Sequence, residues 1–329
     1  MLAIILALAS AIGYGCSDFY AGLAARVASV IQVTLLASVS AAVVVLVALP
    51  FAADHRPSGA ALAWGAAAGA GGTLGALALY LGFRYTAFSV AGPLSAVGTA
   101  GFSVLAGLLW GERPSTLALI GIVVALPAIV AVSASAAGEA GQAGEVESNG
   151  EAEADGEVES NGEAEQNGEV ESNGEAEQDG EAGPEGRPSR PVAGVVAGLI
   201  AGACFALLLI GLNRAGSGGG LWPLAAAEVA ELAVAGAAAA LTRNLRLPGG
   251  RPGWLAVITG VAGAAGTILY FFATHDGLLA VTAVLTSLYP ASTIVLARLV
   301  LGERLTRLRL TGLVLAGGCV ALIAAGGAG

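Results

Sequence analysis

The chain has 329 residues, 56% of them apolar, and a mean hydropathy of +0.79, too oily for a water-soluble domain of this size. The formal charge of −10 describes one segment only: residues 137–190 hold 17 of the 24 acidic side chains and two of the 14 basic ones, leaving −15 there and +5 on the rest. With neither a soluble domain nor a basic face, the composition excludes a nucleic-acid-binding protein and points to the membrane.

A bilayer core of ~30 Å takes about 20 apolar residues of helix. Ten such windows follow one another, at 2–22, 30–50, 60–83, 88–110, 115–136, 192–213, 221–241, 253–274, 278–300 and 309–326. Helices are the open choice, because backbone polar groups in lipid must be satisfied within the segment and the alternation of barrel strands is missing. The expected fold is therefore an all-α integral membrane protein of ten transmembrane helices.

The first window lacks a basic stretch before it and runs on past Ala11 through Tyr20 and Leu23, so it reads as a retained span rather than a cleaved signal. Inside it, Asp18 follows Tyr14 by one helical turn. Asp18 either points into a central cavity or caps the helix and pairs with Arg26; the sequence leaves both open. Gly65 with Gly69 in the third window, and Gly198 with Gly202 in the sixth, have the small-xxx-small spacing of close helix seams. Trp110 and Trp222 fall at span edges, as interfacial anchors do.

Between the fifth and sixth windows, GEVESNGEAEAD (144–155) returns twice with little change, on a twelve-residue period with a six-residue subperiod. Glycine every sixth residue, no aromatic group and dense negative charge leave nothing to bury and much to repel, so residues 137–190 are expected to be a disordered acidic linker. The ligand order of a calcium loop is missing from it.

The seventh window carries Glu228 and, three residues later on the same helix face, Glu231, near the bilayer middle. An ionisable group there costs ~2.5–3.5 kcal/mol on insertion scales and so faces a cavity or a partner. Two such carboxylates in low dielectric cannot both stay ionised cheaply. That suits a carrier coupled to protons, although packing against an arginine, or a place in a water-filled vestibule without coupling, would also account for them. His275-Asp276 closes the eighth window ahead of Gly277 and reads as a wetted helix end. In the ninth, Pro290 after Tyr289 frees a mid-span carbonyl, and Thr286 one turn earlier completes a polar notch open to substrate or to packing.

The windows form two sets of five. LSAVGTAGFSVLAGLLWGERPSTLALIGIVVAL from Leu94 lies over LTSLYPASTIVLARLVLGERLTRLRLTGLVLAG from Leu285 at a constant offset of 191, so that Gly111-Glu112-Arg113 meets Gly302-Glu303-Arg304. An odd number of spans per copy makes the second copy enter the membrane from the other side, giving an inverted repeat. The domains expected are thus a first five-helix repeat over 1–136, the linker over 137–190, and a second repeat over 191–329.

These paired helix-loop-helix motifs, with GYGCSDFYAGLAAR in the first span, resemble the drug/metabolite transporter superfamily, specifically its EamA-like ten-helix members. The resemblance covers both halves and omits the acidic segment. It implies a carrier of amino acids, sugars, nucleotides or toxic metabolites. The first half departs from the pattern, with Gly98-Thr99 in place of Tyr289-Pro290, and Pro93 is expected to supply a kink there instead.

Alternate connections hold ten arginines against three, Arg56, Arg113 and Arg214 making up the smaller set. This bias places both termini outside and the acidic segment in the cytoplasm of a multi-pass cell-membrane protein. No phosphate loop, HExxH, CxxC or GxSxG is present, and Cys16, Cys204 and Cys319 read as small core residues. Neither an enzyme nor a cofactor or metal site is expected. The partners expected are a small-molecule substrate and the lipid bilayer, with a homodimer neither demanded nor opposed. The leading function is a secondary transporter exporting a small metabolite, with Glu231, Glu228, Asp18, Tyr14, Tyr289, Pro290 and Thr286 as its substrate or proton pathway. The competing functions are a passive channel or lipid-headgroup flippase on the same scaffold, and a membrane-anchored interaction protein acting through the linker.

Overall fold

The computed structural model of the protein describes residues 1–51, 57–85, 88–131, 191–301 and 307–326. The acidic segment and Gly302-Glu303-Arg304 lie outside the described residues. Regular structure among the described residues is helical: α1 (Leu2–Ala25), α2 (Val30–Ala48), α3 (Gly59–Tyr85), α4 (Phe88–Leu109), α5 (Thr116–Ala131), α6 (Pro191–Arg214), α7 (Trp222–Leu241), α8 (Gly250–Asp276), α9 (Leu279–Thr286), α10 (Tyr289–Leu301) and α11 (Arg307–Gly326). Seven stretches are long and apolar enough to cross a bilayer, with α9 and α10 counted together, and shorter apolar helices within α4, α5 and α11 bring the spans to ten. Large apolar side chains such as Ile5, Ile12, Val47, Leu109, Val123 and Val314 stay exposed, as suits helices whose surrounding solvent is lipid.

The packing pairs off between the halves. α1 lies mainly on α8, as α6 lies on α3; α2 also lies on α8, as α7 lies on α3; and α4 packs on α6 as α9 and α10 pack on α1. Exchanging α1–α5 for α6–α11 turns each of these contacts into its counterpart. Individual residues keep the 191-residue register. A Cβ at Gly266 would stand 3.2 Å from the Tyr14 ring, and one at Gly75 would stand 2.8 Å from the Phe205 ring. Close approach of the halves also requires glycine at Gly69 and Gly260, where a Cβ would drive into the backbone carbonyls of Ala227 on α7 and Ala37 on α2.

Two apolar clusters hold this arrangement. One joins Ile4 and Ala7 of α1 to Ile122, Ala125 and Ile129 of α5, Val284 and Leu285 of α9, and Cys319 and Ile323 of α11. The other joins Val45, Leu212, Leu224, Tyr270, Phe271 and Leu279. Cys319 is the buried core residue that the sequence suggests, whereas Cys16 and Cys204 are only half-buried.

The ninth span is interrupted. α9 ends at Thr286 and α10 starts at Tyr289, because Pro290 has no N–H to offer the turn before it. Tightened three-residue bonds cover the break, from Leu288 N to Leu285 O (3.2 Å) and from Ala291 N to Leu288 O (2.9 Å). α4, by contrast, is assigned as one helix through Pro93. The break at 287–288 is fastened to α1, where the Ala7, Ala11 and Gly15 carbonyls accept from the hydroxyls of Thr286 (3.4 Å), Ser292 (3.1 Å) and Thr293 (3.1 Å).

Both GER motifs follow a span, and the first of them has a visible task. The Glu112 carboxylate accepts from the Leu279 N–H (2.6 Å) and the Ala280 N–H (2.9 Å), capping α9 in the opposite half. A helix N-terminus leaves such donors without partners and carries partial positive charge, so a carboxylate there is doubly favoured. Nearby, Arg214 at the end of α6 lies 4.8 Å over the Trp110 ring, a cation–π contact that also crosses between the halves. Trp110 and Trp222 are both exposed at helix ends, at 48% and 38%. α8 ends at Asp276, and His275 Nδ1 lies 2.5 Å from the Phe271 carbonyl, one turn back.

Candidate functional site

A cavity of about 200 Å³ lies between the halves, lined by residues of α1, α2, α3, α6, α7 and α8. Small side chains make the space: Ala21, Ala37, Gly72, Ala76, Gly260 and Gly263 all face it. Its polar groups are concentrated on α1 and α7. Tyr14, Ser17 and Asp18 come from α1, Glu228 and Glu231 from α7, and Thr259 and Thr267 from α8.

Several of these are positioned by specific contacts. The Tyr14 hydroxyl lies 3.0 Å from Thr267 Oγ1. Thr267 donates its own proton to the Gly263 carbonyl (3.1 Å), so the phenol is the donor in that pair. Ser17 Oγ crosses to the Thr259 carbonyl at 3.0 Å. Glu231 Oε1 accepts from Ser38 Oγ of α2 at 2.9 Å, and the same hydroxyl is 3.0 Å from the Thr34 carbonyl. One hydroxyl proton cannot serve both acceptors fully.

Glu228 is placed differently. It is 5% exposed, and its Oε2 is buried without a hydrogen-bond partner among the described residues. Among the described residues no arginine or histidine lines the cavity, so the alternative in which an arginine neutralises the Glu228–Glu231 pair finds no support from them. Asp18 lines the cavity and is exposed.

Four of the seven residues singled out from the sequence are therefore brought together: Tyr14, Asp18, Glu228 and Glu231. The other three are not. Thr286, Tyr289 and Pro290 make the break between α9 and α10 and lie against α1, outside the cavity lining. The sequence reading missed Ser17, Ser38, Thr259 and Thr267. Ser17 had a readable signal, lying one residue before Asp18 and three after Tyr14. Ser38 had none, since its value depends on which face of α2 meets α7.

Among the described residues no group of three or more potential metal ligands forms, and the cavity's three carboxylates come from two helices at different levels. What the arrangement offers chemically is a small chamber with several oxygen acceptors, buried between two packed halves, in a protein that spans the membrane.

Comparison with known proteins agrees with this architecture. The EamA-like transporter family matches twice, over residues 1–134 and 192–325, which leaves out the acidic segment. A solved structure titled "Crystal structure of protein" superposes with a TM-score of 0.64 over 95% of each chain at 16% identity, a likeness of fold alone. No curated protein matches the chain. With both halves matched and apolar helices of both lining a cavity, the chain belongs to the EamA-like transporter family and is a multi-pass membrane transporter of the drug/metabolite type.

Proposed function

We propose that this protein is a secondary transporter of the cell membrane that exports a small metabolite, in the size class of an amino acid or a related compound, by alternating access. The observation that carries the reading is the cavity between the halves with Glu228 and Glu231 in its wall and, among the described residues, no basic side chain beside them. Two five-helix units in inverted orientation, joined by the acidic linker, supply the two bodies that rock about it. A chamber of about 200 Å³ is below the ~300–1,000 Å³ that holds drug-sized ligands and suits a smaller one.

Proton exchange at the Glu228–Glu231 pair provides the coupling. Neighbouring carboxylates in a dry site resist double ionisation, so loading one with a proton or a cation is favoured in every conformation that occludes them. Ser38 follows the change, turning its proton to Glu231 when the carboxylate is ionised and to Thr34 when it is not.

The test is substrate flux in proteoliposomes under an imposed pH gradient. Glu231→Gln should abolish gradient-driven flux while the protein remains folded and membrane-inserted. Wild-type flux that fails to saturate and ignores the gradient would replace the carrier by a channel. Flux in the variant with unchanged pH dependence would remove Glu231 from the coupling.

A further inference from the structure

The polar inventory of the cavity is unbalanced. Tyr14 donates to Thr267, Ser17 to the Thr259 carbonyl, Thr73 to the Gly69 carbonyl, Thr259 to the Leu255 carbonyl and Thr267 to the Gly263 carbonyl. Those hydroxyl protons are committed inside the protein. The helical backbone N–H groups of the walls are committed as well, to their own helices. What remains toward the chamber, among the described residues, is one hydroxyl, that of Thr34, and acceptor capacity concentrated in Asp18, Glu228 and Glu231, with no cationic side chain in the lining. At Glu228 the excess is explicit, because Oε2 of this 5%-exposed side chain has no partner among the described residues. A buried acceptor left unmatched costs about 1–3 kcal/mol, and more when it is charged.

From this we infer that the transported compound is a small organic cation carrying N–H donors, a protonated primary or secondary amine with a compact apolar body. This rests on the transporter reading and narrows it to a substrate class. The N–H donors complete Glu228 Oε2, and the positive charge offsets the carboxylates that no arginine neutralises. Val33, Phe205, Leu208 and the alanines of the wall take the apolar body. A ligand carboxylate meets three like charges and, for a donor, only the single Thr34 hydroxyl, which disfavours a free acid outright and a zwitterionic amino acid relative to its decarboxylated amine. A quaternary ammonium brings charge but no N–H, so Oε2 stays unmatched.

The experiment is calorimetric binding to the purified full-length protein in nanodiscs, at one fixed pH. The probes share one carbon skeleton: isopentylamine, isopentanol, isovalerate, leucine and isopentyltrimethylammonium. The amine should bind tightest, by about ten-fold or more over each of the others, the ratio expected of a charge-assisted hydrogen bond. Glu228→Gln should weaken the amine by about ten-fold or more and the alcohol by less, so that the gap between them narrows. Leucine or isovalerate binding as tightly as the amine overturns the inference, and so does equal binding of amine and alcohol; both comparisons use the unmodified protein and stand whether or not the variant folds. Amine binding without gradient-driven amine flux in proteoliposomes would sink the transporter reading and keep the site. Saturable leucine flux without amine binding would do the reverse.

Discussion

α1 and α6 hold equivalent places in the two halves and do different things there. Tyr14 and Phe205 are 191 residues apart, and each ring packs over a glycine, Gly266 or Gly75, with the same separation. Ser17 over Gly263 and Leu208 over Gly72 form a second such pair. Asp18 corresponds to Leu209, which is 4% exposed and belongs to an apolar cluster. α7 carries two carboxylates, and its counterpart α2 carries none. Duplication thus supplies a symmetric packing frame, and the chemistry is written on one side of it. Packing needs only shape, which Phe and Tyr share; binding needs polarity at places where the frame leaves room.

The comparison can be broken most severely by making α1 resemble α6. The triple substitution Tyr14→Phe, Ser17→Leu, Asp18→Leu removes a carboxylate and two hydroxyls from the cavity while matching side chains the frame already tolerates. Transport should fall at least about a hundred-fold, the equivalent of losing one strong charge-assisted contact. Membrane insertion and thermal stability should hold. The reverse exchange on α6, with Leu209→Asp, should instead destabilise the protein, because that position is buried in the apolar cluster and offers a charge no partner. Flux assays beside thermal melts of both variants check the pair of outcomes.

A smaller effect, equal on the two sides, is expected where the two halves of the frame come closest. Gly69→Val and Gly260→Val both press a side chain onto facing backbone, at Ala227 and Ala37. Each should cost about 1–3 kcal/mol of stability through overpacking, and the two costs should agree. Melting curves showing one variant unaffected would mean that the frame is not symmetric at its closest approach.

Much of this architecture is legible in the sequence because lipid imposes it. Ten apolar windows give ten spans, and the expected boundaries stand within a few residues of the observed helices. Glu228 and Glu231 were legible for the same reason, since a carboxylate in mid-span needs a cause. Pro290 correctly announced a disruption, but a proline reports only that a helix breaks, and the break faces α1 rather than the cavity. Hydroxyl residues such as Ser38 and Thr267 were illegible because serine and threonine are cheap in a span and gain meaning only from helix rotation. Glu112 carried a readable sign, its recurrence as Glu303, yet its role as a cap reaching α9 in the other half depends on tertiary approach.

The finest test isolates a single oxygen. Tyr14→Phe makes the α1–α8 contact chemically the same as the α6–α3 contact at Phe205, leaving the ring packed against Gly266. The lost bond is the one from the phenol to Thr267 Oγ1, 3.0 Å long. Thr267 keeps its own donor bond to Gly263, so no buried donor is orphaned and only one acceptor contact is given up. Interhelical hydrogen bonds in membrane proteins average about 0.6 kcal/mol, and the stability loss should be of that order. Flux should then change by no more than about three-fold, as a free-energy difference of that size allows. A much larger loss of flux with unchanged stability would mean that the hydroxyl touches the substrate, adding a phenol to the carboxylates that bind it.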